Sequence, residues 1–185
     1  MQTVIQGAGQ LQVTPIAYGT WQFGGDRWTS RLPVKAVQPP YHLFRRGIEA
    51  GLLPYAARHI GVLAYGPLAC GLLGGTITEA ARFGPGDWRS HSPAFTGPGF
   101  GRNLEIVAAL SRFAADLGAT IAQLAVAWVL AHRAVQVAIV ARTPHHLQES
   151  VGALDLALSR DDLAEIDSIM AAAVPLGGPS PEGMT

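Results

Sequence analysis

The sequence predicts an α/β fold with a parallel sheet buried on both faces. Three observations carry this. First, the runs 15–20 (PIAYGT), 60–65 (IGVLAY) and 135–140 (VQVAIV) lack a clean inside–outside alternation, which is how strands covered on both faces read. Second, segments of helical period lie between such runs, the strand–helix order of a parallel sheet. Third, the 185 residues are 49% hydrophobic and only 14% charged, against roughly 25% charged in ordinary soluble domains. A chain of this length and composition has material for one large core and needs no disulfide or metal staple.

The elements follow in order. Residues 2–6 and 11–18 flank a Gly-Ala-Gly-Gln turn at 7–10, and both are β-prone, so a hairpin is expected. The buried strand 15–20 follows, then an aperiodic loop over 22–33. A short strand at 34–38 is expected to stop at Pro39-Pro40, because proline cannot donate to a central ladder. A helix over 47–59 carries Ile48, Leu52, Leu53 and Ala56 on one face, with Pro54 placed to split or kink it. After the strand 60–65 comes a glycine-rich stretch with Gly66, Gly71, Gly74 and Gly75, and then an ordered loop over 80–101.

Leu104, Val107, Leu110, Phe113 and Leu117 recur at helical spacing over 103–117, and Gly118 is a C-terminal stop. Thr120 with Gln123 is a capping box for a helix running to about His132. A strand at 135–140 is followed by Thr143-Pro144, a threonine cap with proline at the first helical position. Ser159 with Asp162 starts the last helix, about 160–172, and 175–185 reads as a loose tail.

Composition excludes several functions. The 13 basic and 13 acidic residues balance, so no basic stripe invites nucleic acid or an anionic membrane. The single cysteine, Cys70, excludes an internal disulfide framework and a multi-cysteine zinc site. No uncharged apolar run approaches the roughly 20 residues of a membrane helix, and MQTVIQGAGQ lacks the pattern of a signal peptide. A cytoplasmic, soluble protein is the expectation.

Ligands of parallel α/β sheets bind at the carboxyl ends of the strands. Four segments qualify: Gly19-Thr20-Trp21, Gln38-Pro39-Pro40-Tyr41, Tyr65-Gly66-Pro67-Leu68 and Ala141-Arg142-Thr143-Pro144. In the last, Arg142 precedes a helix N-terminus and can grip a phosphate with two donors. The plain alternative is a helix cap beside an exposed arginine. The Gly66–Gly75 stretch could present backbone amides to a phosphate or be only a turn; it lacks the Gly-Lys-Ser/Thr ending of a Walker loop. His145-His146 has no partner at metal-ligand spacing, and His91 does not sit in a nucleophile elbow. Trp21, Trp28, Tyr41, Tyr65 and Trp88 are core by default, or walls of a pocket where they fall at strand ends.

Taken together, these segments resemble the aldo-keto reductase family. LQVTPIAYGTWQFGG is similar to its hairpin and first barrel strand. AVQPPYHLFRRGIEAGLLPYAARHIGVLAYGPLACGLLGG is similar to its sixth and seventh strands. NLEIVAALSRFAADLGATIAQLAVAWVL and VAIVARTPHHLQESVGAL resemble the helices before its eighth strand and the cofactor loop after it. The resemblance covers nearly the whole chain, in the right order. It implies a TIM barrel that reduces carbonyls with NADPH.

The departures are equally specific. Family barrels run to roughly 300 residues. Here the first-strand segment passes directly to the sixth, with the junction near Thr29–Val34 and strands two to five missing. The expected fold is therefore a partial (half) TIM barrel of strands equivalent to 1, 6, 7 and 8. It forms one domain over 1–174: the hairpin and first strand in 1–28 and the C-terminal half-barrel in 34–174. By the resemblance, the missing segment supplies the aspartate, tyrosine, lysine and histidine of the catalytic tetrad. No Asp-Thr-Ala…Tyr-Gly element is present. Lys35, the only lysine, is expected on the face opposite the site. No catalytic residue is thus assigned.

The resemblance also implies cofactor contacts. Gln38 would hold the nicotinamide carboxamide and Tyr65 would stack on its ring, beside Gly19, Thr20 and Trp21. The backbone of Gly66, Pro67, Leu68 and Gly71 would line the pyrophosphate. Arg142, His146, Glu149 and Ser150 would sit at the 2′-phosphate and adenine. Gly66 replaces a usual serine and Thr76 stands where some members have lysine, so weakened NADP(H) affinity is expected.

Two functions remain open on these grounds: an NADPH-linked carbonyl reductase, inactive alone without its tetrad, and a non-catalytic NADP-binding or partner-binding pseudoenzyme. A non-redox enzyme using the 80–101 loop is a third. A homodimer could close the barrel as 6-7-8-1-6′-7′-8′-1′. Ala64, if it faces the barrel interior, is then where an arginine would block closure.

Overall fold

A computed structural model describes residues 4–6, 11–13, 16–18, 36–141 and 144–177. Strands β1 (Val4–Gln6) and β2 (Leu11–Val13) pair antiparallel, Val4 opposite Val13, as the hairpin reading expects. β3 (Ile16–Tyr18), β4 (Ala36–Val37), β5 (Gly61–Tyr65) and β6 (Val137–Ala141) form one four-stranded sheet in the order β3-β6-β5-β4, and every pair is parallel. The loop 22–33, Trp21, Trp28 and Lys35 lie outside the described residues.

The double proline does not stop the pairing of β4. Pro40 bridges Tyr65 in parallel, the Tyr65 N–H donates to the Pro39 carbonyl (3.0 Å), and the Tyr41 N–H donates to the Tyr65 carbonyl (3.2 Å). β4 is an edge strand, so the ladder uses the carbonyl of one proline and the N–H of the residue after the other. Helix α1 (Leu52–His59) is shorter than expected. Pro54 lies in its first turn, where an N–H has no helical acceptor, so proline helps start the helix instead of kinking it.

Helix α2 (Gly97–Asp116) begins six residues before the expected start at 103. Its first turn reads as loop because it holds Gly97, Pro98, Gly99 and Gly101. The glycine at 99 has a steric reason: a Cβ there would lie 2.6 Å from the Pro93 carbonyl oxygen. Helix α3 (Ile121–Ala131) has the expected capping box, Thr120 with Gln123. Helix α4 (Pro144–Val151) starts at the expected proline, and α5 (Arg160–Met170) carries the Ser159–Asp162 capping box. Among the described residues no single helix is long and apolar enough to cross a membrane.

One core joins the sheet to the helices. Val62 and Ala64 of β5, Ala138 of β6, Leu53 of α1, Leu110 of α2, Leu124 and Val129 of α3 and Ile166 of α5 are all fully buried in it. Asn103, 0% exposed, is its polar rivet: its Nδ2 donates to the Val174 carbonyl (3.2 Å) and its Oδ1 accepts from the Val174 N–H (2.9 Å). Leu176 is buried and its N–H donates to the Phe44 carbonyl, so the chain is tied down past the expected boundary at 174; residues 178–185 lie outside the described ones.

The reading of a sheet buried on both faces is corrected, because helices cover only one. Val62 and Ala64 point into the helix-covered core, whereas the alternate residues Leu63 and Tyr65 of β5, and Ile139 of β6, are partly exposed on the other face. Ala64 therefore faces the helices and not a barrel interior.

Candidate functional site

Gln38 and Tyr65 stand at the ends of two paired strands. Gln38 is exposed immediately after β4, and Tyr65, partly buried, ends β5 on the face away from the helices. The β4–β5 ladder past Pro39 fixes the spacing of these two residues.

The backbone after Tyr65 turns sharply. Gly66, Gly71 and Gly75 have positive φ, as do two residues with side chains, Ala69 (φ 50) and Cys70 (φ 56). Left-handed backbone costs a non-glycine residue about 1–2 kcal/mol, so two in succession must be held. The holding contacts are visible. Ala69, Leu72 and Leu73 are fully buried, the Ala69 N–H donates to the Gly66 carbonyl (2.9 Å), and the Leu73 N–H donates to the Leu68 carbonyl (3.1 Å). A Cβ on Gly66 would meet nothing within 4 Å, so open space borders the turn where it leaves the sheet.

A second loop braces this one. Arg89 Nη1 donates to the Cys70 carbonyl (3.1 Å), and its guanidinium stacks 4.4 Å over the Phe83 ring. Asp87 grips the same guanidinium through Nε (3.0 Å) and Nη2 (2.6 Å), and also caps the Arg89 N–H. Hydrogen bonds from Arg89 hold the Asp87 carboxyl below its ordinary range, and the same bonds raise the guanidinium's pKa. Sequence reasoning missed this pair, because two residues at i, i+2 in a loop carry no periodic signal.

At the end of β6, Gln123 does two tasks. Its Oε1 accepts from the Thr120 N–H (2.9 Å), completing the α3 cap, and its Nε2 donates to the Glu149 carbonyl (3.2 Å) in α4. A Cβ on Gly152 would lie 2.3 Å from that Nε2, so a larger residue there would displace the Gln123 amide from this bond. These contacts seat α4 beside β6. Glu149 is partly buried and Ser150 is 3% exposed. His146 is within α4, while Gly19, Thr20, Trp21 and Arg142 lie outside the described residues.

Tyr41 does not wall this site. It is 1% exposed, stacks 5.0 Å from Trp128 and donates its hydroxyl to Glu49 (2.8 Å); burial first, then that hydrogen bond, raises its pKa. Trp88 packs edge-on against Phe95, and His91 is exposed. A cleft of about 360 Å³ between Glu79, Arg82, Phe83 and Phe100 has none of the strand-end residues in its lining. Among the described residues no three His, Cys, Asp or Glu side chains cluster as metal ligands.

Comparison with known proteins agrees with this arrangement. The model of the aldo/keto reductase family matches residues 27–171. The aldo-keto reductase YhdN of Bacillus subtilis (strain 168) is 35% identical over 148 residues, which is 78% of this chain and 45% of that protein. The aldo-keto reductase yakc [NADP(+)] of Schizosaccharomyces pombe is 31% identical, over 82% of this chain and 46% of its own length. Among solved structures, the glycerol dehydrogenase AKR11B4 of Gluconobacter oxydans superposes with a TM-score of 0.72 at 34% identity, over 79% of this chain and 45% of that one. The chain thus spans about half the length of the relatives it matches. With an α/β partial barrel and these matches together, the chain belongs to the aldo/keto reductase family.

Proposed function

We propose that this chain holds NADP(H) at the carboxyl ends of β5 and β6 and does not by itself reduce carbonyls. The observation that carries this is the passage from β3 to β4. β3 ends at Tyr18 and β4 begins at Ala36, and only residues 19–35 connect them. In the family that interval carries strands two to five and, with them, the catalytic tetrad. The whole sequence has one lysine, Lys35, expected on the face opposite the site, so the family's lysine that lowers the pKa of a proton-donating tyrosine has no counterpart.

The residues that remain fit the nucleotide. Open space at Gly66, beside a turn whose backbone Arg89 and the buried leucines hold, leaves room for a pyrophosphate where the chain leaves β5. Gln38 would hold the carboxamide and Tyr65 would stack on the nicotinamide, next to Gly19, Thr20 and Trp21. Arg142, His146, Glu149 and Ser150 would take the 2′-phosphate and adenine end, Arg142 by charge-assisted hydrogen bonds. When bound, the nicotinamide supplies a hydride. Without the tyrosine and lysine that the family places in the missing segment, the developing alkoxide of a carbonyl substrate would lack the family's positioned proton donor.

Oxidation of NADPH by the purified chain against a panel of aldehydes tests this. A general acid contributes about 10²–10⁴-fold, so turnover is expected at least a thousandfold below that of a full-length relative. Turnover comparable to such a relative would restore the reductase reading.

A further inference from the structure

The sheet of this chain is an open ribbon with two different edges. β3 pairs with β6 at one edge and β4 pairs with β5 at the other, and all four strands run the same way. Helices cover one face. The other carries Leu63, Tyr65 and Ile139, all partly exposed, and Val137, which is buried, on its two central strands. Parallel sheets are stable only with both faces covered, and unpaired edges invite further strands.

We propose that the occupant of this face is a second copy of the chain. Two copies related by a two-fold axis along the strands close one eight-stranded parallel barrel, the β4 edge of each sheet meeting the β3 edge of the other. Only an axis in that direction keeps all eight strands parallel, and eight is the number whose interior side chains alone can fill. The chain covers 45% of the YhdN reductase, so two copies supply close to the length of one whole relative. Its 14% charged composition leaves little to oppose burial of the face.

Light scattering and thermal unfolding of the purified chain over 1–100 µM test this. The expected mass is about 39 kDa, twice the 19.4 kDa of one chain, and the unfolding midpoint rises with concentration. Leu63→Ala, which thins the open face, should raise the dissociation constant tenfold or more, and Leu63→Arg should abolish the dimer. Tyr55→Arg, at a position 57% exposed on α1, should leave it intact. A cooperatively folded 19.4 kDa species throughout this range overturns the proposal, whatever other partner the face then takes. So does a dimer whose affinity is unchanged by both Leu63 variants.

Discussion

Replacing Arg89 with methionine removes the brace of the turn after β5 while keeping a side chain over Phe83. The wild-type guanidinium makes one charge-assisted hydrogen bond to the Cys70 carbonyl at 3.1 Å and one ring contact at 4.4 Å. With 29% of the Arg89 side chain exposed, the first is worth about 1–2 kcal/mol after screening and the second about 0.5–1. The left-handed residues Ala69 and Cys70 together cost about 2–4 kcal/mol. The brace and the strain are therefore of similar size, and burial of Leu72 and Leu73 supplies the remaining hold. A loss of about 2 kcal/mol corresponds to roughly 30-fold faster opening. Hydrogen exchange read on peptides covering 66–75 should accelerate by that factor in Arg89→Met, with less change in the sheet. Unchanged exchange over 66–75, with acceleration confined to 83–91, would refute the idea that Arg89 acts through the Cys70 carbonyl.

Other outcomes follow from the same contacts. Asn103→Ala leaves both polar groups of Val174 without their partner inside the core and should lower stability by about 2–4 kcal/mol in urea unfolding; a loss under about 0.5 would show that water replaces the amide. His42 is 3% exposed, and burial, then the nearby Arg45, lowers its pKa to about 4. The unfolded chain then binds the extra proton below about 6.5 and the folded chain only below about 4, so stability present at neutral pH falls as pH drops through that window, by about 3 kcal/mol. His42→Phe should flatten that part of the pH–stability curve, and an unchanged slope would point to other groups. Tyr41→Phe removes one of the donors on Glu49 and leaves Arg46 Nε at 2.8 Å, so a loss of about 1 kcal/mol is expected by thermal unfolding.

What the sequence reveals here depends on whether a signal is local. The capping boxes at Thr120–Gln123 and Ser159–Asp162 are complete in four residues, and both are formed as read. The hairpin over 4–13 is equally local. The start of α2 was hidden because Gly97, Pro98 and Gly99 carry loop signals, and the docking of Gly99 on Pro93 is a tertiary fact. An apolar strand announces burial without saying which face is covered, so Ala64 and Leu63 could not be told apart in sequence. Asn103 sits in an apolar helical stripe, and a count of hydrophobic periods passes over it. The strand-end positions Gln38, Tyr65 and Gly66 were legible from family motifs, while Arg89 and Asp87, which hold the adjoining backbone, belong to a loop without a motif.

Fluorescence titration of the purified chain with NADPH and with NADH tests the central claim most directly. The account predicts saturable binding of both, tighter for NADPH, and an Arg142→Ala variant that loses most of the preference. A charge-assisted contact of about 1.5–3 kcal/mol makes that loss roughly 10- to 150-fold. Equal affinity for the two nucleotides, or no binding of either, would contradict it.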